Sequence, residues 1–244
     1  MKAIITDLDR TLLRTDKSIS EYTLSALHRC RERGMIVLAA SARPLRNITC
    51  FPFDAVVATC GAVIQLPDGM ETCHIPRDQS EEILRRLLRY PNVFISLESS
   101  GGLFSNNDIP GWDPIVYHDF PRLPDGVKPY KILASCEDRQ LYADIAQLLT
   151  PDTYHTVAGE FLIQIMHKKA TKWQGVQRML AHFGLTPADA VYFGDDNDDI
   201  EPVQNCGMGV AVANAIPAVL SVAKHMAKSN DEDGVACFIE EHIL

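Results

Sequence analysis

Five short runs rich in apolar residues constrain the fold of this chain more than any other feature. They occupy residues 2–6, 35–40, 54–58, 190–193 and 209–213. The second and fourth runs are apolar throughout, as expected of strands that are buried on both faces. A helix that Ser20 can cap is predicted over residues 21–33, between the first two runs, with Gly34 as its stop. Strand, helix and strand in this order predict an α/β fold, in which helices cover a parallel sheet.

The middle of the chain has a different pattern, typical of an α+β unit. The predicted elements are a helix at 80–90, strands at 92–98 and 103–106 that flank a Ser-Ser-Gly-Gly turn, a loop-rich stretch at 107–129, a strand at 131–135, a helix at 138–149 and a strand at 161–167. The pattern of a parallel sheet resumes after this block, and the run at 209–213 is predicted to be its last strand. We therefore predict a core domain of residues 1–76 and 169–244, and an inserted α+β domain of residues 77–168.

The composition excludes several classes of partner and site. Lys and Arg total 23 against 32 Asp and Glu, so the formal net charge is −9. This balance argues against broad binding to nucleic acids or anionic membranes, which requires a basic surface. The seven cysteines are widely spaced and form no Cys-x-x-Cys pair, which favours buried reduced thiols over disulfides or a zinc site. No apolar run has the length of a secretory signal or a membrane span, so we expect a cytoplasmic protein.

The first candidate site is the pair Asp7 and Asp9, at the end of the first predicted strand. Residues two apart on a strand project to the same side, and ligands of open α/β sheets bind at the carboxyl ends of the strands. Two carboxylates this close repel each other unless they share a cation or a proton. A polar strand end followed by a turn is the competing interpretation of this pair taken alone.

The second candidate site is the acidic segment Asp195-Asp196-Asn197-Asp198-Asp199, directly after the fourth apolar run. Hard oxygen ligands at this density suggest Mg²⁺, which binds one or two carboxylates together with water and phosphate oxygens. An EF-hand calcium loop is excluded, because Ile200 stands where glycine is required and Cys206 where the bidentate glutamate belongs. A solvated acidic loop remains the alternative.

Two further residues are candidates for holding a phosphoryl group. Ser41 follows the second apolar run, where its hydroxyl can donate to an oxygen of a ligand. Lys172 is predicted at the first position of a helix, with Thr171 and Gln174 as a capping box. A cation at a helix N-terminus is unfavourable unless an anion lies beside it, so this position suggests an anion site. Each residue alone is more often an ordinary turn or surface residue.

In this order the four features resemble the motifs of the haloacid dehalogenase (HAD) superfamily, and within it the Cof-type phosphatases with a large type-II cap. The resemblance covers nearly the whole chain and rests on the segments Asp7-Leu8-Asp9-Arg10-Thr11-Leu12-Leu13, Ala40-Ser41-Ala42-Arg43-Pro44, Cys60-Gly61-Ala62, Lys172, Gly194-Asp195-Asp196-Asn197-Asp198-Asp199, 209–215 and 233–235. It implies a Rossmann-like parallel-sheet core and identifies the inserted domain as a cap.

The resemblance also implies a function, hydrolysis of small phosphomonoesters such as sugar phosphates or cofactor phosphates. Asp7 would be the nucleophile that forms an aspartyl-phosphate, and Asp9 the general acid and base. The implied phosphate-binding residues are Ser41, Ala42, Lys172 and Asn214. The implied Mg²⁺ ligands are Asp7, Asp9 through its backbone carbonyl, Asp195 and Asp199. The expected partner is a small phosphorylated metabolite, and the expected state is a monomer or a homodimer.

The chain departs from the family pattern at five motif positions. These are Arg10 for Gly, Ser41 for Thr, Ala42 for Gly, Cys60 for Asn and Asp198 for Asn. Serine keeps the hydroxyl of threonine, and the charge of Asp198 is expected to be offset by Arg10, Lys172 or solvent. Arg10 adds a bulky cation beside the nucleophile, where it would bind a substrate or pair with a nearby acid. These departures bear on the identity of the substrate more than on catalysis.

Three alternative functions remain open at this point. A phosphoryl receiver domain also uses acids, a hydroxyl and a lysine on a parallel sheet, but it has about half this length and lacks the late acidic segment. A phosphotransferase or phosphomutase on the same scaffold would share the aspartyl-phosphate. A non-catalytic, metal-dependent module that binds a phosphorylated ligand is the third, and the presence of all four motif side chains weighs against it.

Overall fold

The predicted apolar strands lie side by side in one sheet of the structure, a computed structural model that describes residues 1–158 and 161–244. In chain order the strands are β1 (Ala3–Thr6), β2 (Ile36–Ala40), β3 (Ala55–Ala58), β4 (Val63–Leu66), β5 (Gly69–Thr72), β6 (Phe94–Ser99), β7 (Gly102–Ser105), β8 (Ile115–Val116), β9 (Pro129–Ser135), β10 (Thr153–Ala158), β11 (Leu162–His167), β12 (Ala190–Gly194), β13 (Met208–Val212) and β14 (His225–Ala227). The α-helices are α1 (Glu21–Glu32), α2 (Arg77–Leu87), α3 (Gln140–Leu148), α4 (Lys172–His182), α5 (Ile200–Asn205), α6 (Pro217–Val222) and α7 (Gly234–His242).

The chain divides into two units. The core unit comprises Met1–Thr72 and Thr171–Leu244, and the cap unit comprises Cys73–Ala170. The borders predicted from the sequence lie after residues 76 and 168.

The sheet of the core unit has the strand order β14-β13-β12-β1-β2-β3-β4-β5. The strands from β14 to β3 are parallel, and β4 and β5 are antiparallel additions at one edge. Thr6 on β1 lies beside Ala39 on β2 and Phe193 on β12, so these three strands end at the same level. The predicted α/β class is therefore confirmed, and the segments that follow β1, β2 and β12 are brought to one edge.

Helices α1 and α4 begin where their capping residues predict. The Ser20 hydroxyl accepts a hydrogen bond from the Thr23 N–H at the start of α1. The Thr171 hydroxyl accepts one from the Gln174 N–H at 3.2 Å, which starts α4 at Lys172. A side-chain oxygen at this position satisfies an N–H that has no partner within the helix. Sequence alone therefore predicts where these two helices begin.

The cap unit has its own sheet, with the order β10-β11-β9-β6-β7-β8, and packs it against α2 and α3. The side chains between sheet and helices are apolar and buried, and include Ile83, Ile95, Ile132, Leu141 and Ile165. The predicted hairpin is confirmed as the antiparallel pair β6 and β7. Helix α2 begins at Arg77 rather than at residue 80 and ends at Leu87 rather than at residue 90.

The structure has five strands that the sequence pattern does not predict, and the prediction that the run at 209–213 is the last strand is wrong. The missed strands are β4, β5, β8, β10 and β14. β5 and most of β14 are exposed and lack an apolar pattern, and β8 has only two residues, too few to form one. β14 extends the parallel sheet beyond β13.

The cysteines were expected to be buried and reduced, and only some of them are buried. Cys30, Cys60 and Cys206 are buried, whereas the other four are partly accessible. All seven belong to the described part of the chain, and none forms a disulfide there. Among the described residues, no helix combines the length and apolar character needed to cross a membrane.

Candidate active site

Asp7 lies at the centre of the edge where the parallel strands end. It directly follows β1, and its N–H donates to the carbonyl of Phe193 at 2.9 Å, which continues the sheet by one residue. The chain then turns back, because the Leu12 N–H donates to the Asp7 carbonyl and the Leu13 N–H donates to the Leu8 carbonyl. Asp7 is only 5% exposed. A carboxylate is thereby held in a fixed, nearly buried position.

Lys172 enters the same place from the start of α4 and is 2% exposed. Its Nζ donates to Oδ1 of Asp7 at 2.9 Å and to Oδ1 of Asp199 at 2.7 Å, and lies 3.1 Å from Oδ1 of Asp198. Burial alone would lower the pKa of Lys172, but the charges of Asp198, Asp199 and Asp7 raise it well above its usual value. The lysine is therefore a permanent cation, and it offsets the charge of Asp198.

Asp199 is fully buried, and both of its carboxylate oxygens are occupied by protein donors. Oδ1 accepts hydrogen bonds from Lys172 Nζ and from the Tyr192 hydroxyl at 2.7 Å, and Oδ2 accepts them from the backbone N–H groups of Asp195 and Asp196. Four donors use the whole acceptor capacity of a carboxylate. Gly194 makes this approach possible, since a Cβ at that position would lie 2.5 Å from Cβ of Asp199.

Asp7, Asp195 and Asp199 form the group of buried carboxylates in the described residues that could hold a metal ion, with one oxygen from each within 4.8 Å of the others. Asp195 Oδ1 accepts a hydrogen bond from the Thr11 hydroxyl at 2.8 Å. Among the described residues, Oδ2 of Asp7 and Oδ2 of Asp195 have no hydrogen-bond donor. These two oxygens are therefore free of protein donors, whereas both oxygens of Asp199 are hydrogen-bonded.

The charges of this group fit a divalent cation. Burial raises the pKa of Asp195 to about 7, and the charge of Asp199 adds to the rise. Burial also raises the pKa of Asp7 well above its usual value, against the lowering effect of Lys172 and with the support of Asp199. Three buried carboxylates and the partly buried Asp198 thus face a single ammonium group. Hard oxygen donors with excess negative charge are the donor set that suits Mg²⁺.

Asp9 lies two residues beyond Asp7 and is held by two cations. Arg43 Nε donates to Oδ2, Arg43 Nη2 donates to Oδ1, and Lys17 Nζ donates to Oδ1, at 2.6, 2.6 and 2.7 Å. Partial burial raises the pKa of Asp9, but the hydrogen bonds from Arg43 and Lys17 outweigh it and hold the pKa below its usual value. In this arrangement Asp9 is an ion-paired carboxylate.

Comparison with known proteins agrees with the geometry of the site. The family model of the haloacid dehalogenase-like hydrolases matches residues 4–239. The chain belongs to this family. It is 26% identical over 272 residues to the 5-amino-6-(5-phospho-D-ribitylamino)uracil phosphatase YitU of Bacillus subtilis, covering 98% of this chain and 96% of that protein. It is 26% identical over 238 residues to the HMP-PP phosphatase of Cronobacter sakazakii, covering 90% of this chain and 87% of that protein.

A solved haloacid dehalogenase-like hydrolase from B. subtilis has the same fold. It matches the structure with a TM-score of 0.86 at 20% sequence identity, and the match covers the whole of both chains. The family and the α/β fold expected from the motifs are therefore confirmed.

The remaining predicted residues have different places in this haloacid dehalogenase-like hydrolase. Ser41 is 1% exposed at the end of β2, and its hydroxyl accepts a hydrogen bond from the Arg43 N–H at 3.1 Å. Ala42 follows it and is exposed. Asn214 uses its amide on the backbone: Nδ2 donates to the Arg10 carbonyl and Oδ1 accepts from the Asn230 N–H. Asn214 therefore holds the loop after Asp7 in place.

Three residues that contact the site have no role predicted from the sequence. The sequence pattern places Tyr192 in a buried strand and Thr11 in a motif, and nothing in it singles out Lys17. Their contacts join residues that are far apart in sequence, as in the bond from Thr11 to Asp195. One signal was available: Tyr192 places a hydroxyl in an otherwise apolar buried run, and a buried hydroxyl requires a partner.

Proposed function

We propose that this protein is a Mg²⁺-dependent phosphatase that hydrolyses small phosphomonoesters through an aspartyl-phosphate on Asp7. The observation that carries the proposal is the buried contact of Asp7 with Lys172 beside the available oxygen of Asp195. A carboxylate can attack a phosphate dianion only where positive charge cancels their repulsion. The names of the two phosphatase relatives support a small phosphorylated substrate.

Asp7 and Asp195 are proposed as the side chains that bind Mg²⁺ directly, with the backbone carbonyl of Asp9. Asp199 is proposed as a positioning residue, because its four hydrogen bonds orient Lys172 and the backbone of Asp195. Groups that orient a ligand or its neighbours commonly form such an outer shell. When bound, Mg²⁺ supplies positive charge that lowers the repulsion between Asp7 and the phosphoryl oxygens.

In the first proposed step, the carboxylate of Asp7 attacks phosphorus and the bond from phosphorus to the ester oxygen breaks. The leaving alkoxide takes a proton from Asp9. In the second step, water loses a proton to Asp9 and attacks phosphorus, which breaks the bond to Asp7 and releases phosphate. Lys172 and the hydroxyl of Ser41 are proposed to stabilise the charge on the phosphoryl oxygens in both steps.

The proposed role of Asp9 requires a rearrangement. Both of its oxygens accept hydrogen bonds from Arg43 and Lys17, so Asp9 cannot carry a proton in the arrangement described. A bound phosphate dianion competes with Asp9 for these two cations. We propose that substrate binding releases the Asp9 carboxylate and raises its pKa toward the range that proton transfer requires.

Phosphate release from a panel of phosphomonoesters, with and without Mg²⁺, tests the proposed function. The Asp7→Asn variant should lose turnover, and Asp108→Asn, which removes one exposed charge in the cap unit, should retain it. With a phosphorus-labelled activated ester, whose leaving group needs no proton, Asp9→Asn should accumulate labelled protein whose label is stable in acid and lost in mild alkali. Substantial turnover by Asp7→Asn would overturn the proposal. Transfer of label to an added sugar in place of water would favour the phosphotransferase alternative.

A further inference from the structure

Arg10 has a backbone conformation that does not suit an arginine. It is the third residue of a turn that the Thr11 N–H closes on the Leu8 carbonyl, and its φ is 62°. Left-handed φ at this position of a turn normally requires glycine or asparagine, because a Cβ is crowded there. Residues held in such conformations persist only where their surroundings fix them, and they are concentrated at functional sites.

Two asparagines fix the loop that contains Arg10. Asn214 Nδ2 donates to the Arg10 carbonyl at 2.8 Å, and Asn214 Oδ1 accepts from the Asn230 N–H at 2.9 Å. Asn230 is buried, and its Nδ2 donates to the Leu13 carbonyl. The backbone of Arg10 is therefore held, and the direction in which its side chain leaves the loop is fixed with it.

Arg10 lies between two residues of the site and yet pairs with none of its acids. Asp9 binds Arg43 and Lys17, and Thr11 binds Asp195. Arg10 itself is exposed, and its guanidinium has no hydrogen bond, ion pair or ring contact among the described residues. Lys172 is committed to three carboxylates. Among the described residues, Arg10 is thus a cation of the nucleophile loop without a protein partner, whereas Arg43, Lys17 and Lys172 each have one.

We propose that Arg10 determines specificity by binding a second anionic group of the substrate, a carboxylate or a second phosphate, while the transferred phosphoryl group lies at Asp7. The inference rests on the proposed function and names its substrate class. The fork of donors on a guanidinium matches both anions in a bidentate contact. A second anion would otherwise be repelled by the acidic cluster, and Arg10 offsets this repulsion.

Matched pairs of esters test the inference. Ethyl phosphate and 2-phosphoglycolate differ by a carboxylate, and ribose 5-phosphate and ribose 1,5-bisphosphate differ by a phosphate. We expect wild type to prefer the second member of at least one pair, and the pair that shows it identifies the anion. Arg10→Gly and Arg10→Gln should lower that preference, as a ratio of kcat/KM values, by at least about tenfold, mainly through KM. Arg89→Gln, at an exposed arginine of the cap unit, should preserve it.

A second measurement separates specificity from structure. Arg10→Gly should melt no lower than wild type, because glycine adopts this φ without crowding, and Arg10→Lys should recover part of the preference. Equal loss for both members of each pair would overturn the inference, as would no preference in wild type. If wild type hydrolyses no ester, the proposed function fails, and calorimetric titration with the same pairs decides the inference. Equal affinities of wild type and Arg10→Gly for 2-phosphoglycolate and the bisphosphate would then overturn it.

Discussion

At the scale of single residues, the site is a cluster of carboxylates whose negative charge is only partly neutralised by one lysine. Lys172 contacts three of them, and burial, with the charge of Asp199 adding to it, raises the pKa values of Asp7 and Asp195. Both carboxylate oxygens of Asp199 accept hydrogen bonds from protein donors, whereas among the described residues Oδ2 of Asp7 and Oδ2 of Asp195 accept none. Residues of the same type thus differ in their surroundings within one cluster, which fits the proposal that Asp7 and Asp195 bind the metal directly and that Asp199 orients its neighbours.

The contacts predict different metal dependence for Asp195→Ala and Asp198→Asn. Asp195→Ala should raise the Mg²⁺ concentration for half-maximal activity by at least about tenfold, or about 1.4 kcal/mol of lost binding. Asp198→Asn should stay near wild type, because it keeps an oxygen acceptor for Lys172. Titration of activity with Mg²⁺ measures both. The reverse ranking would show that the roles in this loop are wrongly assigned.

The pKa of about 7 at Asp195 predicts how metal affinity depends on pH. The carboxyl is protonated below this pKa, so Mg²⁺ must displace a proton there and binds more weakly. We expect the affinity to fall about tenfold between pH 8 and pH 6, measured by calorimetric titration of the wild type. An affinity that is constant over this range would contradict a neutral Asp195 at low pH.

Tyr192→Phe removes one hydroxyl and leaves the packing of the ring in place. The lost hydrogen bond to Asp199 is to a charged acceptor, which is worth about 1.5–3 kcal/mol. We expect kcat to fall about tenfold, with the half-saturating Mg²⁺ concentration little changed, if Asp199 orients Lys172 as proposed rather than binding metal. Tyr22→Phe, at an exposed tyrosine, is the matched control. A change in metal affinity alone would place Tyr192 at the metal instead.

At the scale of elements, strand ends and helix starts decide which side chains meet. β1, β2 and β12 and the start of α4 were predictable, because buried strands and capping residues have strong local signals. The pairing of Asp9 with Arg43 was not, since it depends on how two loops fold back rather than on any periodicity. The exposed strands β5 and β8 escaped prediction for a related reason, because they bury no face that a pattern could mark.

The N-terminal capping residues of α1 and α4 allow a test of how α4 positions Lys172. Thr171→Ala and Ser20→Ala each remove one capping hydrogen bond, which is worth about 1 kcal/mol. Both should lower the melting temperature by about 2–4 °C in a chain of this size. Only Thr171→Ala should also lower kcat, because only α4 carries a residue of the site. Equal activities of the two variants would show that the capping hydrogen bond of Thr171 does not position Lys172.

At the scale of the whole molecule, the cluster places function and stability in conflict. Folding buries Asp7, Asp195 and Asp199 against one lysine, so the metal-free protein retains uncompensated charge. A ligand that binds only the folded state stabilises it in proportion to the logarithm of its concentration over Kd. Mg²⁺ should therefore raise the melting temperature of wild type, and the gain should be small in Asp195→Ala. Calorimetric scans with Mg²⁺ and with a chelator measure this difference.

The raised pKa of Asp7 means that this side chain reduces the stability of the metal-free protein. The pKa is raised in the folded state, so at pH 7 folding must either bury the charge of Asp7 or take up a proton, and both reduce stability. Asp7→Asn removes that cost and leaves Lys172 with Asp198 and Asp199 as partners. Without metal, Asp7→Asn should melt about 2–4 °C above wild type, equivalent to about 1 kcal/mol, although it is inactive. Asp108→Asn should melt as wild type does.

Because the substitution at Asp7 would also weaken metal binding, the gain in melting temperature of Asp7→Asn should shrink or reverse with saturating Mg²⁺. An Asp7→Asn variant less stable than wild type without metal would show that Lys172 more than compensates the buried charge.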